Sequence, residues 1–388
     1  MSSLYILGNG FDLNHELPTK YEPDLRHVLE KCGTRNRTAQ LIKQMYFSKA
    51  DLYDNANYIH PLDIGINEIF NTELQEDKDL WCVFESRLGV VSKYVLNKLQ
   101  DTLENNKYYY DEYVGDWRNL APNSSNGDEA YEWDTAYQNL ENTRDGYITN
   151  FNALINDIID IPETINQCIK EMVEQANSLL PNTSLKFHFE QDSYFLTFNY
   201  TDTLETVYNL SDNQVLHIHG RVNRENSNIV FGNMPDKTTI VNNAELAKRF
   251  HDKESICVRN AKYLLPQTQE AWQEAMQVNH NQLKLDLVQA LNCTHKELIK
   301  QVMVEELETF LYEAKIDNVI VIGHSLSEVD LKYFLWLRRE LPYAKWLVSY
   351  YSHSEREKFT RTLEKIGLTK LQYKLIHVED LKLLPVYA

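Results

Sequence analysis

The run Asn318-Val319-Ile320-Val321-Ile322, continued by Gly323-His324-Ser325-Leu326-Ser327-Glu328-Val329-Asp330, decides the fold. Four of its first five residues are β-branched, and its apolar character is continuous instead of alternating. A strand with one wet face alternates; a strand covered on both faces does not, so this one belongs inside a parallel sheet. Glycine ends the run, and the polar residues after it read as a strand-to-helix turn. Just upstream, Leu307, Phe310, Leu311 and Ala314 recur at helical spacing.

The same unit recurs outward. Leu4 to Leu7 runs straight into Gly8-Asn9-Gly10, and short apolar runs bounded by turn residues follow at Tyr194 to Phe198, Gln214 to Ile218, Asn228 to Phe231, Lys345 to Tyr351 and Tyr373 to Val378. After Pro162, the residues Ile165, Ile169, Met172, Val173, Ala176 and Leu180 trace one face of a helix. Ser354 with Glu357 reads as a capping box, and Gly367 as a helix stop. Strands alternating with helices predict right-handed crossovers and an α/β, doubly wound parallel sheet. Its core is expected in residues 1–30, 181–235 and 315–388. Residues 31–180, rich in Tyr, Asn, Asp and Glu through the middle, read as a helical insertion, and residues 236–314 as a second, mainly helical one.

Composition narrows the function classes. The 388 residues, 43% of them hydrophobic, can bury the core of one or two domains. With 39 Lys and Arg against 57 Asp and Glu, the net charge of −18 repels a phosphate backbone, so no nucleic-acid partner is expected. Cys32, Cys82, Cys168, Cys257 and Cys293 form no CxxC pair, which argues against a zinc ribbon or a disulfide framework. The N-terminal apolar run is too short for a signal peptide, and no stretch is long enough to span a bilayer. A cytoplasmic protein without a membrane partner is expected.

Four segments lie where strands end, the edge at which open α/β sheets bind ligands. In Gly8-Asn9-Gly10-Phe11-Asp12, glycines let the backbone turn sharply and approach a phosphate, but Leu13 stands where the dinucleotide fingerprint has its third glycine, and an ordinary tight turn is the alternative. In Thr197-Phe198-Asn199-Tyr200-Thr201-Asp202, Asn199 offers a donor and an acceptor, while Asp202 with Glu205 reads as a helix cap. In His217-Ile218-His219-Gly220, strand alternation puts both histidines on one face. A neutral His is a general base near pH 7, whereas no third or fourth ligand at a recognisable spacing supports a metal. In Gly323-His324-Ser325, N–H and hydroxyl donors face a nucleotide; capping by Ser327 and Asp330 is the plainer reading. The second glycine of a serine-hydrolase elbow is missing.

Taken in order, the four segments resemble the sirtuin arrangement of a glycine loop, an Asn segment, a His-Gly pair and a late Gly-x-Ser loop. The fuller strings LGNGFDLNHELPTKY, FNYTDTLE, HIHG and IGHSLSEVDLKYF resemble the AbiH family of bacterial phage-defence proteins. That resemblance implies a Rossmann-like, sirtuin-like core that binds NAD and hydrolyses it to nicotinamide and ADP-ribose in abortive infection. It implies His219 as base and Asn199 as the residue orienting water. Gly8, Asn9 and Gly10 would hold the pyrophosphate, Asp12 and His15 would lie over nicotinamide, Gly323 and Ser325 would take the adenosine side, and Phe11, Thr201 and His324 would complete the cofactor-binding set. Thr201 stands where sirtuins carry an Asp, and no paired cysteines follow His219-Gly220, so the zinc module and the deacylase cleft are missing. No metal is implied.

Two rivals stay open: a sensor that binds NAD or ADP-ribose without turnover, which Thr201 and Asn9 favour, and transfer of ADP-ribose to an acceptor. A homo-oligomer through the insertions is left open, and the phage trigger is not legible.

Overall fold

The computed structural model describes residues 2–33, 36–46, 155–190, 192–222, 229–232 and 296–382, with Glu85, Leu88, Asn152, Asp286, Gln289, Ala290, Cys293 and Thr294 as isolated positions. Its centre is one sheet of six strands: β1 (Ser2–Leu7), β2 (Tyr194–Thr197), β3 (Val215–His217), β4 (Ile316–Ile322), β5 (Lys345–Tyr350) and β6 (Tyr373–His377). They lie in the order β3-β2-β1-β4-β5-β6, and every neighbouring pair is parallel. The chain builds outward from β1 in one direction, then restarts at β4 and builds in the other. At that reversal the connections on the two sides diverge and leave a crevice beyond the carboxyl ends of β1 and β4.

The apolar runs fill both faces. Leu4 and Ile6 of β1 join Val319 and Val321 of β4 in one core, while Tyr5 and Leu7 join Ile322 in another. The first core is closed by helices α6 (Val304–Leu311), α7 (Leu331–Glu340) and α8 (His353–Lys365), through Leu307, Leu311, Phe334, Leu337, Phe359 and Leu363. The second is closed by α1 (Asn9–Asn14), α5 (Thr203–Tyr208) and α9 (Val378–Lys382), through Phe11, Leu204 and Val378. Each such side chain taken out of water stabilises the fold by roughly 1.5–3 kcal/mol, which is why two-faced burial selects the continuous pattern of β4.

Three further helices stand at the margin: α2 (Arg26–Gly33), α3 (Arg37–Tyr46) and α4 (Ile161–Leu179). In α4 Pro162 sits in the first turn, where its missing N–H costs nothing. Ile165, Ile169, Met172, Val173 and Ala176 are buried along one face, and Ala176 packs with Leu17 and Leu180. Most of the rest of the expected insertion over 31–180, and most of that over 236–314, lies outside the described residues.

Some local readings change. Ile229 to Phe231 is buried or half-buried but forms no strand: the Val230 N–H donates to the His219 carbonyl at 2.8 Å as a single link. Asn228 lies outside the described residues. The capping box is Ser352 with Glu355, not Ser354 with Glu357; the Glu355 N–H donates to Ser352 Oγ at 3.2 Å. Gly367, at φ +90, ends α8 as expected.

Candidate functional site

The β1–α1 turn and the loop after β4 touch backbone to backbone. The Gly8 N–H donates to Ile322 O at 3.1 Å, Gly10 N–H to Gly323 O at 2.8 Å, and Phe11 N–H to Gly8 O at 2.8 Å. A Cβ on Gly323 would lie 2.3 Å from Phe11 N, and one on Gly10 would lie 2.7 Å from Gly323 Cα. Gly323 also has φ +64, where other residues are strained. These glycines are therefore accounted for by the close approach of the two turns, and three of the amides expected to face a phosphate are spent inside the fold. Asn9 braces the same turn, its Nδ2 donating to Thr19 O at 3.0 Å.

Around this junction lies a cavity of about 580 Å³, within the range of small-molecule and cofactor sites. Of the residues singled out by sequence, Gly8, Asn9, Gly10, Asp12, Asn199, Thr201, His219, Gly323, His324 and Ser325 all line it. Phe11 and His15 do not. Phe11 is packed in the second core, and His15 is buried behind it, with Nδ1–H donating to Phe11 O at 2.8 Å and Nε2 taking the Tyr208 hydroxyl at 2.8 Å. Burial lowers the basicity of His15, consistent with that neutral tautomer.

Asp12 is a buried hub rather than part of a closing loop. Thr201 Oγ1 donates to its Oδ2 at 2.7 Å and Thr203 Oγ1 to its Oδ1 at 2.8 Å. Burial pushes its carboxyl up to about 6, against the opposing pull of these hydroxyls. Asn199 ties β2 to β1: its Nδ2 donates to Gly8 O at 3.0 Å. His217 and His219 do not share a face, because β3 ends at His217 and the chain turns. His217 bonds Glu205 at 2.8 Å and the Asn199 carbonyl at 3.1 Å, fixing the turn. Asp202 makes no side-chain cap; its carboxylate is held by Arg221 and accepts from Asn177.

His219 enters the wall beside Phe198, whose ring meets it edge-on at 4.9 Å. Its Nε2 stands 3.4 Å from Asp330 Oδ1, and His324 Nε2 stands 3.5 Å from Asp330 Oδ2. Asp330, in the helical turn Glu328–Asp330 that leads into α7, was expected only to cap. It also contacts the Lys300 ammonium at 2.8 Å, and Lys300 contacts Glu85 at 2.8 Å. Burial, and then the Lys300 charge, lower His219 to about 4, Asp330 pulling the other way. The imidazole is thus neutral at pH 7 and able to accept a proton. Burial alone would raise Asp330, but the Lys300 ammonium overrides it and holds the carboxyl well below the ordinary range.

Glu85 and Lys300 were missed because they belong to no motif and 215 residues separate them; Asp330 was read only as a cap. The signal available was narrow, a lone Asp eight residues after a strand end. Among the described residues no group of three or more His, Cys, Asp or Glu side chains is set to hold a metal ion. Ser325 stands half-buried at the cavity wall. Tyr350, Tyr351, Lys20 and Lys382 line it as well.

A family model described as bacteriophage abortive infection AbiH matches residues 4–350. No curated protein and no solved structure matches the chain.

Proposed function

Because the chain belongs to the AbiH family of bacteriophage abortive infection proteins, we propose that it binds NAD at the sheet's reversal point and hydrolyses the nicotinamide–ribose bond. The observation that carries this reading is the gathering of His219, Asn199, Asp12 and the Gly323–Ser325 loop around one cavity beyond β1 and β4, where Rossmann-like sheets take dinucleotides. The sirtuin-like order of motifs supports it from the sequence.

The chemistry asks little of a protein. Nicotinamide leaves as a neutral base, taking the C–N bond pair, and water supplies the new bond to the ribose carbon. His219 accepts the proton that water loses and releases it to solvent. Aromatic walls and excluded water sharpen each charge interaction at the reacting carbon. The Asp12 carboxylate and Asn199 suit ribose hydroxyls, which can donate and accept. Asp12, held by Thr201, keeps a buried carboxylate in the cavity although position 201 itself is not acidic. The diphosphate belongs away from Asp12 and Asp330, where Lys20 and Lys382 line the wall. Draining NAD would halt host metabolism, which suits abortive infection.

Nicotinamide release by purified protein, followed by chromatography, tests the reading. His219→Ala should lower turnover by about 100-fold or more, the usual worth of a positioned base. Asn199→Ala should also lose activity, with folding checked by circular dichroism because Asn199 holds Gly8 in place. Full activity in both variants would falsify the assignment.

One observation favours a second reading, a sensor that binds without turnover: the Asn199 amide nitrogen is committed to Gly8 O. NAD bound tightly with no nicotinamide released would select it. Label appearing on a separate acceptor instead of in free ADP-ribose would select transfer.

A further inference from the structure

The cavity has a second layer that the motifs do not contain. Lys300 is a fully buried lysine whose Nζ lies 2.8 Å from Glu85 Oε1 and 2.8 Å from Asp330 Oδ1. A buried ammonium is costly unless paired, and here two carboxylates pair it. The second of these carboxylates also faces His219 at 3.4 Å and His324 at 3.5 Å. Glu85 and Lys300 come from the two segments that interrupt the sheet, whereas Asp330 and His219 belong to the sheet's own turns.

We infer that Lys300 is a positioning residue of this site: clamped by Glu85, it fixes the Asp330 carboxylate against His219 and offsets that carboxylate's pull on the imidazole proton. This rests on the reading of His219 as the proton acceptor.

The geometry decides the sign. Asp330 faced by His219 alone would favour an imidazolium, and a protonated His219 can take no proton from water. Lys300 supplies the opposing charge, so Asp330 orients the ring without charging it. The charged or titratable groups around His219 are Asp330, Lys300 and His324, with Glu85 behind Lys300 and the Tyr200 and Tyr333 rings alongside. Of the charges, Lys300 and His324 oppose protonation and Asp330 favours it; burial opposes it too.

The test is the titration of His219 in the full-length free protein, read by NMR of ring-labelled histidine, with His219→Ala assigning the signal. The double variant Glu85→Gln with Lys300→Met removes the ammonium together with the carboxyl that clamps it, so neither is left buried without its partner. Its His219 signal should titrate higher than in the unaltered protein by roughly a pH unit or more, the size expected when a carboxylate loses its counter-cation. Glu85→Gln alone leaves Lys300 on Asp330 and should move the signal down or leave it in place. A rise confined to the double variant separates electrostatic positioning from damage, which would move both variants the same way. An unmoved signal in the double variant, or an equal rise in both, overturns the inference whether or not NAD is the substrate. A shifted signal in a protein that leaves NAD intact keeps the role of Lys300 and removes the proposed reaction.

Discussion

Asp12 is 1% exposed, accepts two threonine hydroxyls and holds its proton up to about pH 6, against an ordinary value of 3.8. Between those pH values the folded chain binds more protons at this group than the unfolded chain, so its contribution to stability falls as pH rises towards 6. Asp12→Asn removes that dependence. Relative to the unaltered protein it should gain about 1 to 2 kcal/mol in urea unfolding on going from pH 5 to pH 7.5. A constant difference between the two proteins would mean that Asp12 is ionised throughout. His219 works in the opposite sense, since a depressed folded pKa costs stability as pH falls from 6.5 towards 4, so only the comparison between variants isolates Asp12. Asp12 was visible in the sequence as a residue beside a glycine turn, but its bonds to two threonines, 189 and 191 residues away, were not. Asp330 was likewise visible only as half of a cap, because its partners arrive from other parts of the chain.

At the scale of elements, strands were legible and their ends less so. Continuous β-branched runs announce burial on two faces, and β1, β4, β5 and β6 follow the apolar runs closely. Ile229 to Phe231 is as apolar but pairs with no strand among the described residues, and composition says nothing about neighbours. Two Ser-x-x-Glu spacings overlap at the start of α8, Ser352 with Glu355 and Ser354 with Glu357. The backbone chooses the first, with Ser352 extended at φ −125 and ψ 163. Ser352→Ala should cost about 1 kcal/mol, read as a lower urea midpoint with unchanged slope. Ser354→Ala should cost less, since Ser354 lies within the helix. Strand order was beyond reach: alternation of strand and helix permits several orders, and only the packing of the crossovers selects this one.

Across the whole molecule, β1 is the hinge of the architecture: it pairs with β2 on one edge and with β4 on the other. Most of the first core lies after residue 300. A fragment ending at residue 314 keeps β1, β2 and β3 but lacks β4, β5 and β6. It should show no cooperative thermal transition, and the β1 amides should exchange with solvent at rates near those of an unfolded chain. Slow exchange in that fragment would mean that the first three strands make a stable unit without the rest.

The contact between the Gly8–Gly10 turn and Gly323 joins positions more than 300 residues apart in the chain. On a ribosome making this protein, β1 emerges more than 300 residues before the glycine that closes its turn, and lacks its β4 partner over that interval. The pocket cannot exist on a nascent chain that stops short of Asp330. Whatever this cavity does, a nascent chain can do it only after the turn that follows β4 has been made.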